Sequence, residues 1–107
     1  MAAIRVSITQ WLSDEPQPGW IECRVTDAWG REWIFEDKPY VFGSDCELDA
    51  RTKYPRPGSI PCEIVGRRRD TDGREIVAVD TELPAHIESR TGETRIDVLE
   101  GQLVEDG

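Results

Sequence analysis

Apolar and polar residues alternate in short runs broken by glycine- and proline-rich turns. Ile4, Val6 and Ile8 alternate with Arg5, Ser7 and Thr9, the period of a strand with one buried face. Trp11 and Leu12 close this run, and Ser13-Asp14-Glu15-Pro16 has turn composition. Next comes Ile21, Cys23 and Val25 alternating with Glu22, Arg24 and Thr26, followed by Asp27-Ala28-Trp29-Gly30. Asp at the first turn position and Gly at the fourth predict a type I turn closed by a left-handed glycine bulge. That turn pairs Asp27 with Arg31, and counting outwards sets Val25 opposite Trp33 and Cys23 opposite Phe35. Cross-strand partners share a face, so Ile21, Cys23, Val25, Trp33 and Phe35 gather on one side.

The chain then repeats itself. Pro16-Gln17-Pro18-Gly19 before the first hairpin returns as Pro55-Arg56-Pro57-Gly58, and Asp27-Ala28-Trp29-Gly30-Arg31-Glu32 returns as Asp70-Thr71-Asp72-Gly73-Arg74-Glu75. The second hairpin has Ile60, Cys62 and Ile64 alternating with Pro61, Glu63 and Val65. The same counting pairs Arg69 with Glu75, Arg67 with Val77 and Val65 with Val79. Its two faces are then both apolar, Ile60, Cys62, Ile64, Ile76 and Ala78 on one and Val65, Val77 and Val79 on the other. A strand apolar on both sides needs two covers. The N-terminal strand or a partner is expected on the valine side.

Between the repeats, Pro39-Tyr40-Val41-Phe42-Gly43 reads as a short edge strand, since proline is tolerated at a strand start. Residues 44–53 read as a loop or one helical turn. A third turn, Ser89-Arg90-Thr91-Gly92, is flanked by His86-Ile87-Glu88 and Thr94-Arg95-Ile96-Asp97-Val98, predicting a third hairpin over 85–99. Residues 99–104 dock as a final short element, and 105–107 should fray. No stretch keeps a helical period. The expectation is one all-β domain over residues 1–104, with repeats at 16–39 and 55–84. It is a small, partly open barrel of about 6–8 antiparallel strands built on the duplicated hairpin with an approximate two-fold; a small sandwich is the alternative.

Composition narrows the functional classes. The 107 residues carry a net charge of −9, spread evenly over both halves, which disfavours phosphate backbones and anionic membranes and suits a basic protein partner. No apolar run has the length of a signal peptide or a membrane span. Three cysteines fit a reducing cytoplasm better than a disulfide framework.

Candidate chemistry is sparse. Cys23 and Cys62 occupy equivalent places among apolar neighbours, and no C-x-x-C or H-x-x-H pair joins them with Cys46 and His86 into a zinc site. Buried core thiols are the expectation, with no metal and no cofactor. His86 is the only histidine, and G-x-S-x-G, H-E-x-x-H and phosphate-cradling glycine loops are all missing. No enzyme is expected. Arg67-Arg68-Arg69 is the one basic run, and pairing with Glu75 and neutralisation by Asp70 and Asp72 account for it better than nucleic acid does. All four tryptophans fall in the first 33 residues. Trp33 belongs to the core face, Trp20 lies off it, and Trp29 sits in a turn. Either Trp29 stays exposed as a binding residue or it folds back to plug the barrel end. Trp20, Trp29, Val65, Val77 and Val79 are therefore the candidate partner-binding residues, for a protein partner or for self-association.

The segments Cys23-Arg24-Val25-Thr26-Asp27-Ala28-Trp29-Gly30-Arg31, Tyr54-Pro55-Arg56-Pro57-Gly58-Ser59-Ile60-Pro61-Cys62-Glu63 and Thr81-Glu82-Leu83-Pro84, with Ile87-Glu88-Ser89, resemble a family of small bacterial proteins of unassigned function. The resemblance covers roughly residues 20–104. It implies a bacterial cytoplasmic protein and supplies no activity or catalytic residue.

Overall fold

The computed structural model describes residues 2–105. It is all-β. Eight strands form one antiparallel sheet: β1 (Ala2–Ser13), β2 (Trp20–Thr26), β3 (Glu32–Asp37), β4 (Gly43–Ser44), β5 (Arg56–Arg69), β6 (Glu75–Asp80), β7 (Arg95–Leu99) and β8 (Leu103–Glu105). The main order is β3-β2-β1-β5-β6-β7, with β4 on β5 and β8 on β1, and the sheet curls into a half-barrel. The two repeated hairpins lie on either side of β1. Glu105, expected to fray, instead closes β8 opposite Ala2. Residues 106 and 107, expected to fray, lie outside the described residues.

Alternation places the core. Ile4, Val6 and Ile8 of β1 are buried, as are Ile21, Cys23 and Val25 of β2 and Trp33 and Phe35 of β3. The first hairpin has the register its turn dictates, with Val25 opposite Trp33 and Cys23 opposite Phe35. Asp27 builds that turn. Its N–H donates to Arg31 O at 2.8 Å, Gly30 N–H donates to Asp27 O, and Gly30 takes φ +86°. Only glycine adopts such a φ without strain. The turns at Asp70 and Ser89 repeat this scheme, with Gly73 and Gly92 in the same left-handed region.

The second hairpin departs from the expected register. Arg69 faces Glu75 and Arg67 faces Val77, but Ile64, not Val65, faces Val79. Val65 is the extra residue of a β-bulge and is 41% exposed. A one-residue slip exchanges faces. Here it turns Ile60, Cys62 and Ile64 to the side of Val77 and Val79, so both sets of aliphatic side chains enter one core. Splitting them between two faces would leave one set in water, and the bulge removes that cost. The valine surface read from the sequence does not exist. Val77 and Val79 are fully buried in the core, and Val65 stands apart from them.

Two further expectations are corrected. Pro39–Val41 is a single 3-10 turn, with Val41 N–H donating to Lys38 O and Phe42 N–H to Pro39 O. Proline's fixed φ starts this turn well, and the turn swings Phe42 into the core, leaving only Gly43–Ser44 to pair with Ser59 and Gly58. Of the loop or helical turn expected over 44–53, Ser44 joins β4 and the rest is loop with no α-helix. Residues 86–88 form no strand, and β7 pairs with β6 instead. Thr81 holds that connection, since its N–H donates to Thr94 O and its carbonyl accepts from Ile87 N–H.

Two contacts link the outer strands of the sheet. Ala28 N–H donates to Asp97 O of β7 at 2.8 Å, and Arg90 N–H donates to Ile34 O of β3 at 2.8 Å beside a bridge between Phe35 and Ser89. The first contact brings the tip of the first hairpin onto the β5–β6–β7 region.

Candidate functional site

Trp29 leads the β2–β3 turn and leaves half its surface, 52%, in solvent. Three interactions fix it. Its Nε1–H donates to Asp97 Oδ2 at 3.1 Å, and the guanidinium carbons of Arg68 and Arg74 lie 5.9 and 5.7 Å from the indole centroid. Both distances are within the range of cation–π attraction. Asp97 also accepts from Arg68 at 3.0 Å, Arg74 pairs with Asp70 at 2.8 Å, and Arg74 reaches back to Ala28 O at 3.3 Å.

Strand pairing tells which side of the sheet this is. Arg68 and Leu99 face Ile76, and Asp97 faces Ala78. Trp29 therefore sits over the second apolar face of β6, the one carrying Ile76 and Ala78. Ile76 is fully buried although it lies outside the main core cluster. The expected second cover, the N-terminal strand or a partner on the valine side, is corrected: the second face is that of Ile76, and the tip of the first hairpin lies on it. The indole stays exposed, one of the two expected outcomes, and also makes structural contacts that its turn position alone does not announce.

The basic run is used in pieces. Arg67 pairs with Glu100 at 2.8 Å, Arg68 with Asp97, and Arg69 lies 3.8 Å from Glu75. Asp70 serves Arg74 rather than the run, so its expected neutralising role is corrected.

Trp20 is half-buried at the start of β2, opposite Ser13 across an irregular stretch of the β1–β2 pairing. β2 separates it from Trp29 by its whole length, about 20 Å for a strand of this size. The two tryptophans do not form one surface.

On the outer side of β2, Glu22 is only 2% exposed. Its carboxylate accepts from Arg24 Nε at 2.8 Å, Thr9 Oγ1 at 2.7 Å and Arg90 at 3.3 Å. Arg90 also binds Glu36. The Arg24 hydrogen bond, against the opposing effect of burial and with help from Thr9, holds the Glu22 carboxyl down at about 2. Sequence reasoning missed this group. Arg90 arrives from a turn distant in the chain, and no local signal announces it.

Cys23 and Cys62 are core thiols. Burial pushes Cys23 up to about 12, with the neighbouring Glu22 charge adding to it, and Cys62 up to about 11. Cys46 and His86 are exposed. Among the described residues no three His, Cys, Asp or Glu side chains are grouped to hold a metal ion, and no helix is long and apolar enough to cross a membrane.

The base of the first hairpin carries a different feature. The Pro16–Gly19 turn and the loop after β3 enclose a cleft of about 470 Å³ lined by Pro18, Tyr40, Phe42, Cys46, Glu47 and Leu48. A second depression of about 520 Å³ shares Pro18, Leu48 and Asp49 and adds Trp11, Asp14 and Glu15. The Trp11 ring packs so closely on Gly19 that a Cβ there would lie 2.3 Å from it.

Fold and surface together define a small half-barrel with an ordered aromatic patch at one end of its first hairpin and a cleft at the other. No family model, no curated protein and no solved structure matches the chain.

Proposed function

We propose that the protein is a non-catalytic protein-binding module of the bacterial cytoplasm that meets its partner through the Trp29 patch. The observation that supports this reading is a half-exposed indole whose orientation is already set by Asp97, Arg68 and Arg74. Tryptophan and arginine are the residues that most often dominate binding energy, and a side chain ordered before binding loses less entropy on contact. Val77 and Val79 drop out of the proposed surface because they lie in the core. Three free thiols suit a reducing compartment. The test is affinity capture from native lysate with wild type and a folded Trp29→Ala variant. A stoichiometric partner held by the first and lost by the second supports the reading. Equal capture by both removes Trp29 from it.

A second reading is an immunity-type inhibitor of a cationic toxin, favoured by the charge of −9. Such complexes form under electrostatic steering. Their association rate should fall steeply with added salt, and a salt-insensitive rate would count against this reading.

A further inference from the structure

The cleft at the base of the first hairpin is lined by apolar Pro18, Tyr40, Phe42 and Leu48 and by acidic Glu47 and Asp49. Phe42 and Leu48 come from the core side, Phe42 being 5% exposed and Leu48 packed against the core cluster. Tyr40, by contrast, is 71% exposed on a 3-10 turn, outside that cluster. An aromatic ring so placed at a cleft offers a wall to an incoming apolar group.

The charges around it are one-sided. Asp14, Glu15, Glu47 and Asp49 line the two adjoining depressions, against Arg51 alone. Elsewhere on the surface several carboxylates are taken up by arginines, as in Glu32 with Arg24, Asp45 with Arg56, Glu93 with Arg31 and Asp97 with Arg68, while isolated ones among the described residues, such as Asp72 and Glu88, lie outside both linings. At the cleft, Asp14 accepts from Trp11 Nε1 and Asp49 from Arg51 N–H. The side chains of Glu15 and Glu47 engage no hydrogen bond or ion pair among the described residues. Their charges are available to a partner.

We infer that this cleft and the depression beside it take a lysine- or arginine-bearing peptide segment of a partner protein, with an apolar side chain between Tyr40 and Pro18 in the cleft and its cations against Glu47 there and Glu15 in the depression. Charge complementarity selects this occupant. An acidic segment would meet Glu47 and Asp49 in the cleft and Asp14 and Glu15 in the depression beside it, and like charges repel. The site stands apart from the Trp29 patch, at the other end of β2, and does not depend on it.

The test uses the full chain and a fluorescein-labelled nonapeptide with alternating lysines and leucines, read by anisotropy, with glutamate replacing lysine in a control peptide. The lysine peptide should bind and the glutamate peptide should not. The E15Q/E47Q double variant and Tyr40→Ala should each weaken binding at least about tenfold, a difference of about 1.4 kcal/mol. The D72N/E88Q variant removes the same charge from exposed positions elsewhere and should change it less than about twofold, since distant surface charges are screened. Trp29→Ala should bind as wild type does, which separates this site from the Trp29 patch. Absence of lysine-peptide binding overturns the inference. So does equal weakening by the cleft and the distant charge pairs, which would reduce the effect to the general field of an acidic protein.

Discussion

Trp29 Nε1 donates to Asp97 Oδ2 at 3.1 Å, so a hydrogen bond joins the first hairpin's tip to a strand near the end of the chain. Beside it the Ala28 N–H donates to the Asp97 carbonyl. One residue of β7 therefore receives both the backbone and the side chain of the turn. Trp29→Ala removes the indole bond and two cation–π contacts while keeping the backbone bond. Exposed interactions of these kinds contribute about 0.5–1 kcal/mol each. The variant should lose about 1.5–3 kcal/mol in urea unfolding and remain folded by circular dichroism. Collapse of the fold instead would make Trp29 a core residue in all but exposure, and the binding role proposed for it would fall.

Glu22 gives a pH dependence whose sign is fixed. Its carboxyl sits at about 2, below the ordinary 4.5, because the folded state holds the charged form against Arg24 and Thr9. The stabilisation is complete above the ordinary value and is lost as pH falls from about 5 towards 2. The shift corresponds to at most about 3 kcal/mol. E22Q should therefore destabilise at pH 7 by about 2–3 kcal/mol, and the gap to wild type should narrow progressively below pH 4. A constant gap across that range would show that the carboxylate's charge contributes nothing.

The bulge makes two neighbouring valine positions behave differently. Val65 is 41% exposed and sits outside the β5–β6 ladder, so Val65→Thr should change stability by no more than about 0.5 kcal/mol. Val79 is fully buried opposite Ile64 and Ile96, and Val79→Ala should cost about 2 kcal/mol through lost burial and a residual cavity. Equal costs in denaturant unfolding would restore the unbulged register.

Thiol chemistry separates the three cysteines. Cys46 is exposed, while Cys23 and Cys62 are buried with thiols raised to about 12 and 11. The thiolate is the reactive form. In native protein at pH 8 a disulfide reagent should titrate one thiol rapidly, and all three after unfolding in guanidinium. Fast reaction of a second thiol in native protein would mean that β2 or β5 opens locally.

Much of the fold is legible in the sequence because its determinants are local. Asp27-Ala28-Trp29-Gly30 fixes a turn, the turn fixes a register, and the register puts Cys23 opposite Phe35 and Val25 opposite Trp33. Alternation in β1 likewise names Ile4, Val6 and Ile8 as core. Cys23 and Cys62 also read correctly, since each has apolar neighbours two residues away. The candidate sites were less legible. Trp29 stands out by its turn position, but neither Asp97 nor Arg68 has a sequence signal that ties it to the indole.

Local chemistry settles the all-β class, the turn chemistry and the faces of β1, β2 and β3, each set by interactions within a strand or across one tight turn. Tertiary structure alone decided the rest. It placed the bulge at Val65, because only the assembled core rewards turning Ile64 to the side of Val77 and Val79. It buried Glu22 beneath Arg90, laid Trp29 over the Ile76 face and shaped the cleft between Pro18 and Tyr40. Each of these joins segments distant in the chain, and their energies depend on a geometry that exists only once the sheet has curled.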